Sequence, residues 1–193
     1  MLRAGHAICL FERRADEGPI ALNEGAAMKI TIFDYGAGNL RSVQNTVSKI
    51  GAEYQVVDDA AGLLAAEKII LPGVGHFGQM LRALDAMHVR GAILVQIGKG
   101  VPFLGICLGL QAMFTASEED PDVPGLAIFP ERVARFVGDM RVPHMGWNDL
   151  DAKPESRLLK DVGEKPYVYF AHSYYAPVNE ATAATCTYSV PYT

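Results

Sequence analysis

Val101-Pro102-Phe103-Leu104-Gly105-Ile106-Cys107-Leu108-Gly109 is the stretch on which the fold turns. Val101–Ile106 is short and apolar and reads as a buried strand; Leu108–Thr115 reads as the helix behind it. Between them stands Cys107, flanked by Gly105 and Gly109. A sharp strand-to-helix turn needs small neighbours, because larger side chains would clash there. Such a turn lifts the sulfur out at the strand's carboxyl end, the arrangement of a nucleophile elbow with Cys in place of Ser. The start of the following helix offers unpaired N–H groups and a positive dipole end, which favour thiolate. The Leu108 N–H is then placed to stabilise an oxyanion. A free cysteine is more often a small buried hydrophobe. Here the two glycines and the strand–helix junction decide for a nucleophile.

Upstream, strand and helix alternate. Met28–Asp34 reads as a strand, leading through Tyr35-Gly36-Ala37-Gly38-Asn39 into a helix over Leu40–Ile50 that Gly51 ends. Glu53–Val57 reads as a second strand, and Asp58 or Asp59 caps a helix over Ala60–Glu67. Lys68–Leu71 is a third strand, stopped by Pro72-Gly73. Helices follow over Phe77–Met87 and Gly91–Lys99. This alternation predicts an α/β fold, a parallel-rich sheet with helices on both faces and functional groups at the strands' carboxyl ends. Beyond Ser117 the composition changes, and Tyr167–Phe170 and Ala184–Tyr188 read as further strands, some of them antiparallel.

The loop Gly73-Val74-Gly75-His76-Phe77-Gly78 also fits the G-x-G-x-x-G dinucleotide fingerprint. That fingerprint wants an acid about 20 residues on, and none occurs between Asp85 and Glu118. The loop is better used beside the elbow, where Gly73 or Val74 could supply a second oxyanion N–H.

Length and composition set the outer bounds. The 193 residues fit one domain, 50% hydrophobic and 20% charged, as in a globular protein. A net charge of -5 without a basic block argues against a nucleic-acid partner. No apolar run has membrane-spanning length or the form of a signal peptide, so a cytoplasmic protein without a membrane partner is expected. The three cysteines, Cys9, Cys107 and Cys186, form neither a zinc pattern nor a disulfide framework. Residues 1–27 show no helical or strand period and are expected to be a tail outside the domain at 28–193.

From Met28 onward the chain closely resembles the glutaminase subunit of imidazole glycerol phosphate synthase, a triad-type (class I) glutamine amidotransferase. The resemblance rests on Asp34–Leu40 (D-Y-G-A-G-N-L), Leu71–Phe77 (L-P-G-V-G-H-F), Gly105–Gln111 (G-I-C-L-G-L-Q), Pro143–Asn148 (P-H-M-G-W-N) and His172-Ser173-Tyr174. It implies a flavodoxin-like three-layer sandwich that hydrolyses glutamine to glutamate and ammonia through a Cys107 thioester. It implies as partner a separate cyclase, a (β/α)8 barrel, in a heterodimer where that barrel receives the ammonia for histidine biosynthesis. No metal or organic cofactor is implied. Leu108 and Val74 match the family's oxyanion positions. Gln111, Glu119, Ser173 and Tyr174 match positions that hold glutamine, and Asn39 and Trp147 match positions facing the cyclase. Taken alone, Gln111 reads as equally a polar residue on a solvated helix face, Glu119 as part of a solvated acidic run, Asn39 as a helix cap and Trp147 as core.

In this family the catalytic base and its orienting acid lie in a late segment resembling G-x-Q-F-H-P-E-K. The sequence in hand contains no such segment and ends at Val190-Pro191-Tyr192-Thr193. The expectation is of a domain lacking its C-terminal end, with His76, His144 and His172 as structural or contact residues. A non-catalytic remnant or scaffold is the alternative, and a different cysteine hydrolase, such as a peptidase, a third.

Overall fold

The computed structural model describes residues 8–10 and 29–193, apart from 157, 160, 161, 163 and 164. In chain order the first half comprises β1 (Ile8–Leu10), β2 (Ile30–Phe33), α1 (Leu40–Lys49), β3 (Tyr54–Val57), α2 (Ala60–Leu64), β4 (Lys68–Gly73), α3 (Phe77–Ala86), α4 (Arg90–Gly98), β5 (Phe103–Cys107) and α5 (Leu108–Gln111). The central sheet has the order β1-β5-β4-β2-β3. Strands β2 to β5 run parallel, as the alternation requires, and β1 pairs antiparallel with β5.

Alternate residues of each inner strand feed two different cores. Phe33, Ile69, Leu71 and Phe103 point to one side, where Leu63 of α2, Phe77, Met80, Leu81 and Leu84 of α3, and Ile93 of α4 cover them. Ile32, Ile70 and Ile106 point to the other, where Val47 of α1 is buried and Leu40 and Val43 pack against them. A strand hydrophobic on both faces is thus explained by two helical layers. Phe77 and Phe103 are fully shielded, each burial contributing about 1.5–3 kcal/mol. Asp59 Oδ1 accepts from Gly62 N–H at 2.7 Å and starts α2, and Gly51, at φ +74°, follows α1.

The second half is β-rich: β6 (Phe114–Ser117), β7 (Phe129–Arg135), β8 (His144–Asp149), β9 (Asp151–Ala152), β10 (Tyr167–His172), β11 (Tyr174–Tyr175), β12 (Ala184–Tyr188) and β13 (Val190–Tyr192). These form the small sheets β11-β7-β6, β10-β8 and β13-β12-β9, antiparallel except for β6 with β7. The β8–β10 ribbon has two unlike faces. Its register pairs His144 with His172 and Gly146 with Phe170 on one side, Met145 with Ala171 and Trp147 with Tyr169 on the other. The first face joins an aromatic cluster around Phe136, Phe170 and Tyr192. The second leaves Met145 and Trp147 exposed.

Several expectations shift. The helix begun at Leu108 ends at Gln111, and Phe114–Ser117 is a strand. The carbonyls that would continue the helix are taken by another loop: Leu126 N–H donates to Ala112, Ile128 N–H to Met113 and Ala127 N–H to Phe114. The helix from Ala60 stops at Leu64 rather than Glu67. Strand β4 runs through Pro72-Gly73 rather than stopping there. Past Ile70 it has left its pairing with β2, and only β5 continues alongside. The segment expected to lack strand structure contributes Ile8–Leu10; its residues 1–7 and 11–27, with Met28, lie outside the described residues.

Candidate active site

Cys107 closes β5 and immediately precedes α5. Its φ of +56° is a conformation L-residues rarely adopt, so the turn holds strain at the sulfur-bearing residue. Close backbone packing over-determines it. A Cβ on Gly105 would lie 2.6 Å from the Gly109 carbonyl oxygen, and one on Gly109 would strike the Leu71 carbonyl oxygen. The turn's glycines are therefore required by contact, not merely by flexibility.

Because β2, β4 and β5 are parallel, their following loops emerge at one edge. Those after β2 and β4 flank the point where the order of parallel strands reverses, the usual place for a ligand crevice. There Cys107 and Leu108 share a pocket of about 400 Å³ with Val74, Gln111, Glu119, Met145, Ser173 and Tyr174. That volume suits a small polar metabolite. Leu108, Val74 and all four residues matched to glutamine contacts are thus brought to Cys107.

Their present partners are specific. Gln111 is buried and donates through Nε2 to the Tyr174 carbonyl at 3.0 Å, so it is not on a solvated face. The acidic run is engaged throughout: Glu118 accepts from Arg135 N–H at 2.7 Å, Glu119 from Phe77 N–H at 2.7 Å, and Asp120 pairs with Arg82 at 3.0 Å. The Ser173 carbonyl accepts from Phe136 N–H. Asn39 caps α1 through Ser42 N–H at 3.3 Å. Trp147 is 69% exposed and meets Tyr169 edge-on, so it is not core. The Val74 N–H, expected to be an oxyanion donor, is instead spent on the Tyr35 hydroxyl at 3.3 Å.

Electrostatics at the sulfur also differ from expectation. Burial pushes the Cys107 thiol above its ordinary value; the Leu108 N–H opposes this and the Glu119 carboxylate adds to it. α5 is a single turn, and its end field is outweighed by desolvation.

The three motif histidines have other work. His76 Nδ1 accepts from Gly78 N–H and caps α3. His172 Nδ1 lies 3.0 Å from the Tyr174 carbonyl and its Nε2 lies 3.1 Å from His144 Nδ1. A carbonyl can only accept, so His172 carries its proton on Nδ1 and its Nε2 accepts from His144 Nδ1–H. Burial favours the neutral form of both rings, lowering His144 and, with the facing His144 as a lesser cause, taking His172 down to about 4. Among the described residues, no histidine nitrogen is hydrogen-bonded to Cys107. None of their His, Cys, Asp and Glu side chains form a metal-holding group of three or more, and no helix among them is long and apolar enough to cross a membrane.

Sequence reasoning passed over Met145, which lines the pocket, and Tyr35, which bonds the Val74 loop beside it. Tyr35 stood inside the D-Y-G motif, but its contact lies 39 residues away at Val74, and no local pattern signals it.

Known proteins resemble this chain in sequence and in fold. The model of the family "Glutamine amidotransferase class-I" matches residues 31–189. The imidazole glycerol phosphate synthase subunit HisH of Methanothermobacter thermautotrophicus is 47% identical over 165 residues, covering 85% of this chain and 82% of that protein. The subunit of the same name from Deinococcus radiodurans is 41% identical over 171 residues, covering 86% and 80%. A crystal structure of a glutamine amidotransferase superposes with a TM-score of 0.63 at 15% identity, over 84% of this chain and 86% of that one. A putative GMP synthase component from Thermoplasma acidophilum gives 0.53 at 12% identity, over 84% and 74%. These two show the fold alone. With the family model spanning most of the chain and HisH relatives matching along nearly the same stretch, the chain belongs to the class-I glutamine amidotransferase family.

Proposed function

We propose that this chain is the glutaminase subunit of an imidazole glycerol phosphate synthase, hydrolysing glutamine to glutamate and ammonia for histidine biosynthesis. The observation that carries this is Cys107, held at the strand–helix turn and opening into the pocket with Gln111 and Glu119, in a chain 47% identical to a HisH subunit. Residues 28–193 form the amidotransferase domain in this reading, working in the cytoplasm.

Cys107 Sγ attacks the amide carbon of glutamine. The S–C bond forms, the carbonyl oxygen takes negative charge, and the C–N bond breaks as the nitrogen receives a proton and leaves as ammonia. Water then attacks the thioester, releasing glutamate and restoring the thiol. The Leu108 N–H, with that of Val74 once freed from Tyr35, stabilises the oxyanion in both halves. Gln111, Glu119, Ser173 and Tyr174 hold the substrate. His76 Nδ1, His144 Nδ1 and both nitrogens of His172 are engaged in other hydrogen bonds, so none of these four atoms serves for proton transfer at Cys107. Asn39 and exposed Trp147 face a cyclase barrel, so that ammonia passes from sulfur to partner.

Glutamine protection tests the substrate. Saturating glutamine should slow iodoacetamide labelling of Cys107, and glutamate should not do so as strongly. Labelling indifferent to glutamine would overturn the assignment. Glutamate release from the chain with its cyclase partner then measures turnover.

A further inference from the structure

The sheet does not end at the strand that carries the nucleophile. β1 runs antiparallel along the outer edge of β5, with Ile8 opposite Ile106, Cys9 opposite Gly105 and Leu10 opposite Leu104. Leu104, Gly105 and Ile106 are the residues that lead into Cys107. On its other edge the same stretch is held by β4, with Leu71 opposite Gly105 and Gly73 opposite Cys107. β1 also lies beside α5, the helix that Cys107 opens. One short segment thus borders both the strand before the turn and the helix after it. It stands outside residues 31–189, the stretch that the family model matches. Residues 11–29 join it to β2, three places along the sheet. That distance is about 14 Å at the usual strand spacing, well within reach of such a length of chain.

β5 needs this support more than its neighbours do. Gly105 has no side chain to anchor it, and glycine within a strand is conformationally loose. Yet its backbone must stay pressed on Gly109, where an added Cβ would find the carbonyl oxygen at 2.6 Å. Cys107 follows closely with φ +56°, a conformation that persists only where its surroundings over-determine it. Alternate residues of a strand bond to opposite sides, so a β5 edge without β1 would carry unpaired N–H and C=O groups. Ladder bonds from both sides fix Gly105 by its backbone, the only means a glycine offers.

We propose that residues 8–10 are a positioning strand for the nucleophile: pairing along Leu104–Ile106 and bordering α5, they hold the strained Cys107 turn in place. The segment acts through β5, so its role stands whatever substrate the sulfur meets.

The test uses the full chain carrying Ile8→Pro and Cys9→Pro together. Neighbouring residues of a strand aim their N–H groups to opposite sides, so the pair removes a ladder donor whichever of the two faces β5. Arg3→Pro with Ala4→Pro, outside the strand, is the control. Iodoacetamide labelling is read separately at Cys107 and at Cys186, which is buried in a different cluster. Loosening the turn exposes the Cys107 sulfur, so its labelling at neutral pH should rise at least about threefold relative to that of Cys186. The control should match the wild type. A general loosening of the fold would raise both cysteines together and leave the ratio unchanged. An unchanged ratio overturns the proposal, as does an equal rise in the control. Amide exchange in the wild type decides independently, and serves if the proline variant does not fold. With β1 in place, the amides of Leu104, Gly105 and Ile106 all face a paired strand, alternately β4 and β1. Each should exchange at least about tenfold more slowly than the amide of the loop residue Gly75. If alternate amides among them exchange as fast as Gly75, β5 is a bare edge and the proposal fails.

Discussion

Acid should loosen this protein through His172. Its ring sits in the aromatic cluster, 5.2 Å centre to centre from Phe136 and from Tyr192. Nδ1–H is given to Tyr174 and Nε2 accepts from His144. A second proton could enter only at Nε2, 3.1 Å from His144 Nδ1, which would then have to give up its own hydrogen. The folded pKa of about 4 lies below the ordinary 6.5. The unfolded chain therefore binds the proton first, and stability present above 6.5 is lost as pH falls towards 4. The gap is worth roughly 3 kcal/mol in all, and roughly 2 kcal/mol by pH 5, before most carboxylates titrate. His144, also lowered by burial, acts in the same sense. The assay is urea unfolding at pH 7.5, 6.5 and 5.0 for the wild type and His172→Gln, which lacks this titration. The wild type should lose roughly 2 kcal/mol more than the variant across that range. Parallel curves, or a wild type that strengthens on acidification, would refute the neutral histidine pair.

Other expectations follow from single contacts. Glu119→Gln removes the carboxylate that raises the Cys107 thiol while leaving an oxygen for the Phe77 N–H, so the pH midpoint of iodoacetamide labelling should move down; an upward move would contradict the charge assignment. Gly109→Ala drives a methyl into the Leu71 carbonyl, costing about 3 kcal/mol in urea unfolding, and Cys107 labelling should lose its glutamine protection. Phe136→Ala empties the centre of the aromatic cluster, for a loss of about 3–5 kcal/mol by the same measurement. Asn39→Ala deletes the α1 cap and should cost only about 1 kcal/mol.

The parallel sheet was legible because its strands obey a local rule. Ile32 and Phe33, or Ile70 and Leu71, are apolar neighbours that must serve two cores, and the sequence displays this without reference to anything distant. Cys107 was legible for the same reason, its glycines being adjacent to it. What escaped depends on remote partners. Nothing between Leu108 and Thr115 announces that residues 126–128 will claim the carbonyls of Ala112 to Phe114. The acids at 118–120 look solvated until Phe77, Arg82 and Arg135 are brought to them. The raised thiol of Cys107 reflects burial, which a dipole argument at one helix turn cannot weigh.

The two-faced β8–β10 ribbon has a consequence for how such a protein can diverge. Odd-numbered positions of β8 present Met145 and Trp147 outward, while His144 on the same strand belongs to the interior. Substitution at 147 can therefore change the outer surface while the fold goes unaltered, whereas 145 also lines the Cys107 pocket. Length cannot vary in the same way: one residue inserted ahead of His144 would exchange the faces, sending Trp147 inward and histidine outward. The chemistry of the outer face is open to drift at Trp147, while the length of the ribbon is closed to insertion and deletion.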